Sequence, residues 1–101
     1  MQALNEIHTV TVIPHHPKDP RWHTMFPRTL GYYATRGEAV SGMESYCDSE
    51  TGYYTHVIIE RYTPGIWALA DMEEWYEWRD DKWHPIEQPE WARQVVNYAM
   101  G

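Results

Sequence analysis

Apolar and β-branched residues fall in short runs, bounded by proline, glycine and paired acidic residues. Ile7-His8-Thr9-Val10-Thr11-Val12-Ile13 alternates in part and stops at Pro14, which predicts a strand. His15 to Pro27 carries Pro17, Pro20 and Pro27 and predicts a long loop with partly extended backbone. Thr29 to Tyr33 predicts a second short strand. Thr35-Arg36-Gly37-Glu38 has the spacing of a capping box, in which hydroxyl and carboxylate each satisfy the other residue's amide. The helix that should follow places Ala39, Met43, Tyr46 and Cys47 on one apolar face. Gly37 and Gly42 each weaken it by about 1 kcal/mol relative to alanine, so it needs tertiary support. Asp48 to Gly52 ends it.

Tyr54 to Tyr62, centred on Val57-Ile58-Ile59, predicts a central strand buried on both faces. Thr63-Pro64-Gly65 predicts a turn and Ile66-Trp67-Ala68 a brief strand. Glu74–Arg79 and Lys82–Glu87 flank Asp80-Asp81, the pattern of a two-residue hairpin that lacks the usual glycine. That register sets Trp78 opposite Trp83 and Arg79 opposite Lys82. Pro89 suits the first position of a final helix, with Trp91, Val95, Tyr98 and Ala99 on its apolar face. The order implies one α+β domain over residues 1–101, a mostly antiparallel sheet of about five strands with two helices packed on one face.

Composition sharpens this picture at three points. Of the aromatic residues, six are Trp, eight Tyr and one Phe, a bias toward rings with a polar tip that seeks a partner or water. The lone cysteine, Cys47, excludes an internal disulfide, and no basic, apolar leader or membrane-length run is present, so a reducing cytoplasm is expected. The net charge is −7, and its distribution is uneven. Residues 1–43 are close to neutral, whereas residues 44–90 carry twelve carboxylates against Arg61, Arg79 and Lys82. Such a surface repels phosphate and attracts basic protein, so direct nucleic-acid binding is not expected.

Candidate chemistry is sparse. His15, His16 and His23 share the proline-rich loop, but no spacing typical of zinc ligands accompanies them, and solvated loop histidines are expected. The carboxylates Glu73, Glu74, Glu77, Asp80 and Asp81 lie on or beside a hairpin turn facing water, an environment that does not raise a carboxyl pKa for acid catalysis. Cys47, Ser41, Ser45 and Ser49 lack the context of an activated nucleophile, and the glycines form no phosphate-cradling loop. No catalytic residue, metal or cofactor is expected.

The unusual segment is Trp75-Tyr76-Glu77-Trp78-Arg79-Asp80-Asp81-Lys82-Trp83-His84. Strand alternation puts aromatics on both faces, so one face can enter the core and the other can leave an acid-rimmed aromatic patch in solvent. The expected partner-binding residues are Asp71, Glu73, Glu74, Trp75, Tyr76, Glu77, Trp78, Asp80, Asp81 and Trp83. The expected function is a non-catalytic protein-binding module that docks this surface on a larger basic protein or nucleoprotein complex. One alternative is a small-molecule domain that stacks a nucleotide or sugar in an aromatic groove, with Arg28, Arg36 or Arg61 on an anionic group. Another is a small enzyme. Membrane binding is not expected, and homodimerisation through open sheet edges is compatible with the binding readings.

Arg28-Thr29-Leu30-Gly31-Tyr32-Tyr33-Ala34-Thr35 and Trp83-His84-Pro85-Ile86-Glu87-Gln88-Pro89-Glu90-Trp91 resemble stretches of small proteins of bacteria and their phages that have no assigned activity. The resemblance spans residues 28–101 and carries no catalytic motif. In size and charge the chain is similar to anti-CRISPR and other anti-defence inhibitors. That likeness implies a phage-encoded inhibitor that occupies a basic nucleic-acid channel.

Overall fold

The computed structural model describes residues 6–46, 52–63 and 70–92, with the backbone alone at residues 70 and 71. Five strands form one antiparallel sheet: β1 (Ile7–Ile13), β2 (Arg28–Tyr33), β3 (His56–Tyr62), β4 (Ala70–Arg79) and β5 (Lys82–Ile86). Their spatial order is β2-β1-β3-β4-β5. β3 is therefore central, as its apolar run predicts, and Val57, Ile58 and Ile59 are fully buried. Glu60 is fully buried in the same strand, a carboxylate that the apolar reading of that run does not foresee.

Alternation along the strands divides the core in two. Val10, Val12, Val57, Ile59 and Tyr76 face the α-helix α1 (Arg36–Glu44) through its buried Ala39 and Met43. Ile13, Ile58 and Trp75 face the opposite side and meet Ala92 there. Of the expected capping box, the hydroxyl half forms, while the Glu38 carboxylate meets the Thr35 hydroxyl rather than its amide. The Glu38 amide donates to Thr35 Oγ1 at 3.2 Å, and that hydroxyl donates to Glu38 Oε1 at 3.1 Å. α1 ends at Glu44, so Tyr46 lies beyond it, half-buried against the core, and Cys47 falls outside the described residues.

The expected pair of helices on one face is corrected. Among the described residues there is one α-helix, accompanied by short 3-10 turns at Trp22–Thr24 and Glu90–Ala92. The second turn takes the place of the start of the predicted final helix. It also sits across the sheet from α1, because Ala92 packs on Ile58 whereas Ala39 packs on the Val57 and Ile59 side. The period of Trp91 and its successors identifies an apolar stripe but not which sheet face receives it. The remainder of that predicted helix, and the predicted turn and brief strand over residues 64–68, lie outside the described residues.

Candidate functional site

The β4–β5 hairpin is built as its sequence dictates. Arg79 pairs with Lys82 and Trp78 with Trp83 across the turn. Asp80 and Asp81 adopt φ of 54° and 62°, the left-handed pair that a type I′ turn requires. Aspartate tolerates this region better than most side chains, which explains how the turn forms without glycine. The Trp78 and Trp83 rings meet edge to face, 4.9 Å between centroids. Arg79 leans away from Lys82 toward carboxylates, 3.4 Å from Glu77 Oε1 and 3.9 Å from Asp80 Oδ2.

The structure places the ten expected contact residues in three groups. Trp75 and Tyr76 are buried on opposite faces of the sheet, at 3 % and 7 % exposure, so both belong to the core. Trp78 and Trp83 are half-buried, with Trp83 against the helix-side core. The rings therefore serve packing first. Their enclosure follows from α1 on one side and the Ala92 turn on the other, a double cover that alternation alone does not reveal.

The carboxylates point in several directions. Glu73 and Glu77 share the Trp75 face, Glu74 shares the Tyr76 face, and Asp80 and Asp81 are exposed at the tip. The side chain of Asp71 lies outside the described residues. Glu74 is the structural member of the set. Arg36 grips it through Nε and Nη2, the latter at 2.6 Å from Oε1, and the Tyr76 hydroxyl donates to the same carboxylate at 3.0 Å. These donors hold its carboxyl below the usual range, and the Arg36 guanidinium is raised in turn. Burial and the neighbouring carboxylate push the Tyr76 phenol up. The bridge ties the first turn of α1 to β4.

A groove of about 620 Å³ opens beside β4 where β5 ends. Met72, Trp75, Tyr76, Pro85 and Ile86 supply apolar walls, and Glu73, Glu74, Glu87 and Gln88 supply the polar lining. Trp75 is the last β4 residue paired with β5, through Ile86, so the chain beyond it toward Met72 borders the opening. The sequence reading marks Glu73 and Glu74 but misses Glu87. That residue comes to them only because the hairpin folds β5 back along β4.

A second cluster gathers histidines and tryptophans on the face opposite α1. His15 stacks on Trp91 with ring centroids 4.0 Å apart and planes 8° from parallel. His56 meets Trp91 edge-on at 5.0 Å, and His15 contacts Trp22 at 5.3 Å. The expectation of solvated loop histidines is corrected at His15, whose ring is an element of packing. The cluster is anchored by Thr55. Its hydroxyl accepts from the His15 amide at 3.0 Å and lies 2.7 Å from His56 Nδ1. Glu77 Oε2 stands 3.9 Å from His56 Nε2. Burial drives the His56 imidazole down to about 4 despite that carboxylate, and His15 is lowered by burial and by its neighbour His16. Among the described residues no group of three or more His, Cys, Asp or Glu side chains is placed to hold a metal ion.

No helix among the described residues is long and apolar enough to cross a membrane. Comparison with protein-family models, with curated proteins and with solved structures finds no match to this chain.

Proposed function

We propose that this protein is a non-catalytic binding module whose negative surface captures a larger, positively charged protein or nucleoprotein complex. The observation that carries this reading is the exposure of Glu73, Asp80, Asp81 and Glu87 along one hairpin, where they outnumber the exposed basic side chains Arg79 and Lys82. Charges arranged in this way accelerate encounter with a basic surface and lose that effect as salt screens them. A phage-encoded inhibitor of the anti-CRISPR kind, mimicking phosphate at a basic channel, is the sharpest form of the proposal. It is supported by size, by charge and by the resemblance of residues 28–101.

The groove invites the small-molecule reading, since its volume falls in the usual range for ligand pockets. Its lining argues against a nucleotide. Three carboxylates border it, and none of Arg28, Arg36 or Arg61 does. A phosphate placed there would meet like charge.

The test is affinity capture from bacterial lysate at about 50 mM and about 500 mM salt, a range over which the Debye length falls severalfold. Recovery of a basic complex at low salt, with loss at high salt, is expected. The charge-reversed variant should carry Glu73→Lys, Asp80→Lys, Asp81→Lys and Glu87→Lys, and should leave Glu74 intact because Arg36 and Tyr76 depend on it. Capture is expected to drop at least about tenfold, the effect of removing little more than 1.4 kcal/mol of attraction. Undiminished capture by this folded variant would sink the acidic-surface reading.

A further inference from the structure

We infer that the groove beside β4 is the docking point for a lysine- or arginine-bearing extended segment of the partner, a conclusion that rests on the proposed binding function and locates it. Three features argue for this occupant. The first is shape. The opening is bordered by the strand stretch Met72 to Tyr76 and the strand end Pro85 to Gln88, so it runs alongside backbone and matches a chain segment. The second is wall chemistry. Met72, Pro85 and Ile86 offer apolar surface to the methylene stem of a long basic side chain, and Glu73 and Glu87 offer exposed carboxylates to its charged head.

The third feature is internal. One lining carboxylate is already engaged from outside the groove: Arg36, from α1, lies against Glu74 through two nitrogens while Tyr76 holds the same carboxylate. The fold thus uses one lining carboxylate to receive an arginine of its own and presents the other two without a described cation on them. Glu74 is consequently a fixed wall, and selectivity for a basic side chain falls to Glu73 and Glu87. A hydrogen-bonded strand addition is not required. The register of β4 against β3 slips between Arg61 and Tyr62, close to Asp71, and a bulge there shortens the regular edge. Side-chain capture, with the segment lying along the groove, is the contact that this geometry supports.

The probe is a nine-residue, fluorescein-labelled peptide of alternating lysine and valine, titrated by fluorescence anisotropy into the whole chain at about 50 mM salt. The matching glutamate–valine peptide is the charge control, and spermine is the control for a free polycation without a backbone. The basic peptide is expected to bind and the acidic one not to. Glu73→Gln with Glu87→Gln is expected to weaken binding roughly tenfold, as for two partly exposed charge contacts. Asp80→Asn with Asp81→Asn, at the hairpin tip, is expected to change it by less than about twofold. Thermal melts of both double variants establish that each is folded.

Equal weakening by the tip and groove variants would overturn the groove and leave the general acidic surface standing. Absence of binding by the basic peptide would also overturn it, whatever the lysate capture shows. Spermine binding as tightly as the peptide, with the same dependence on Glu73 and Glu87, would overturn the segment in favour of a small polycation. Failure of the binding function itself shows separately, as loss of salt-sensitive capture by the unmodified protein.

Discussion

Two backbone positions show how single residues set the local energetics. Asp81 sits at φ 62°, where a Cβ is unfavourable, and glycine would relieve it. Asp81→Gly is expected to stabilise the fold by about 0.5–1 kcal/mol in urea denaturation, since the backbone strain outweighs the greater freedom of glycine in the unfolded chain. A loss of stability would mean that the Asp81 carboxylate contributes more than the turn costs. The helix glycines make an opposed pair. A Cβ on Gly42 would overlap the Tyr33 ring, with Cζ at 2.6 Å, so Gly42→Ala should cost about 1–3 kcal/mol by overpacking. A Cβ on Gly37 meets nothing within 4 Å, so Gly37→Ala should gain up to about 1 kcal/mol through propensity alone. Propensity treats the two glycines alike. Only the approach of β2 to the helix separates them, and chemical denaturation of the two variants should return opposite signs.

At the scale of elements, the sheet edges carry their own constraint on assembly. On β2 the register passes from Val10–Gly31 to Thr11–Thr29, leaving Leu30 as an extra residue that bends the outer strand. On β5 the two-residue turn makes Arg79–Lys82 a hydrogen-bonded pair, and alternation then turns the Pro85 nitrogen outward, where an added strand would seek an N–H. Both edges are blunted in ways that disfavour edge-to-edge pairing. Light scattering at about 100 μM, a concentration that would populate a dimer of micromolar affinity, is expected to return the mass of one chain. A doubled mass abolished by Leu30→Pro would show that the β2 edge pairs in spite of its bulge. These same elements show what the sequence makes legible. Ile7–Ile13, the Thr35 cap and the Asp80-Asp81 hairpin follow from local rules, because alternation, capping geometry and turn length act within a few residues. The side of the sheet on which Ala92 lands does not, since an apolar stripe fits either face. For the same reason the extent of the expected aromatic patch is not legible from alternation. Alternation correctly puts Trp75 and Tyr76 on opposite faces, but the cover on each face comes from segments remote in sequence. Glu87 joins Glu73 in the groove through tertiary folding, and no spacing signals it.

At the scale of the whole molecule, the His15–His56–Trp91 cluster joins the proline-rich loop, β3 and the Glu90–Ala92 turn, so its protonation bears on the entire fold. The groups that face the two rings are Thr55 just before β3, Glu77 on β4, His16 on the loop, and Trp22 and Trp91. Of these only Glu77 favours an imidazolium, and burial outweighs it, leaving His56 at about 4 against an ordinary 6.5. Between those two values the unfolded chain binds the extra proton and the folded chain does not. Stability is therefore full above about pH 6.5 and falls as the pH drops toward about 4, by on the order of 1–2 kcal/mol once solvent screening is allowed for. Glu74, whose carboxyl is lowered by Arg36, adds a separate loss only further into the acid range, as the unfolded carboxylate titrates. The two effects are separable by temperature melts at about pH 7.5, 6, 5 and 3, which span the histidine window and reach into the carboxylate range. His56→Gln should flatten the fall between about pH 6.5 and 5 while leaving the steeper acid limb in place. It should also lower stability at neutral pH by about 1 kcal/mol, because the amide replaces a ring that meets Trp91 and His15 edge-on. A melting temperature that stays level from neutral pH to pH 5 in the unmodified protein would show that the folded His56 takes up its proton without opposition, and the enclosure described for this cluster would then be wrong.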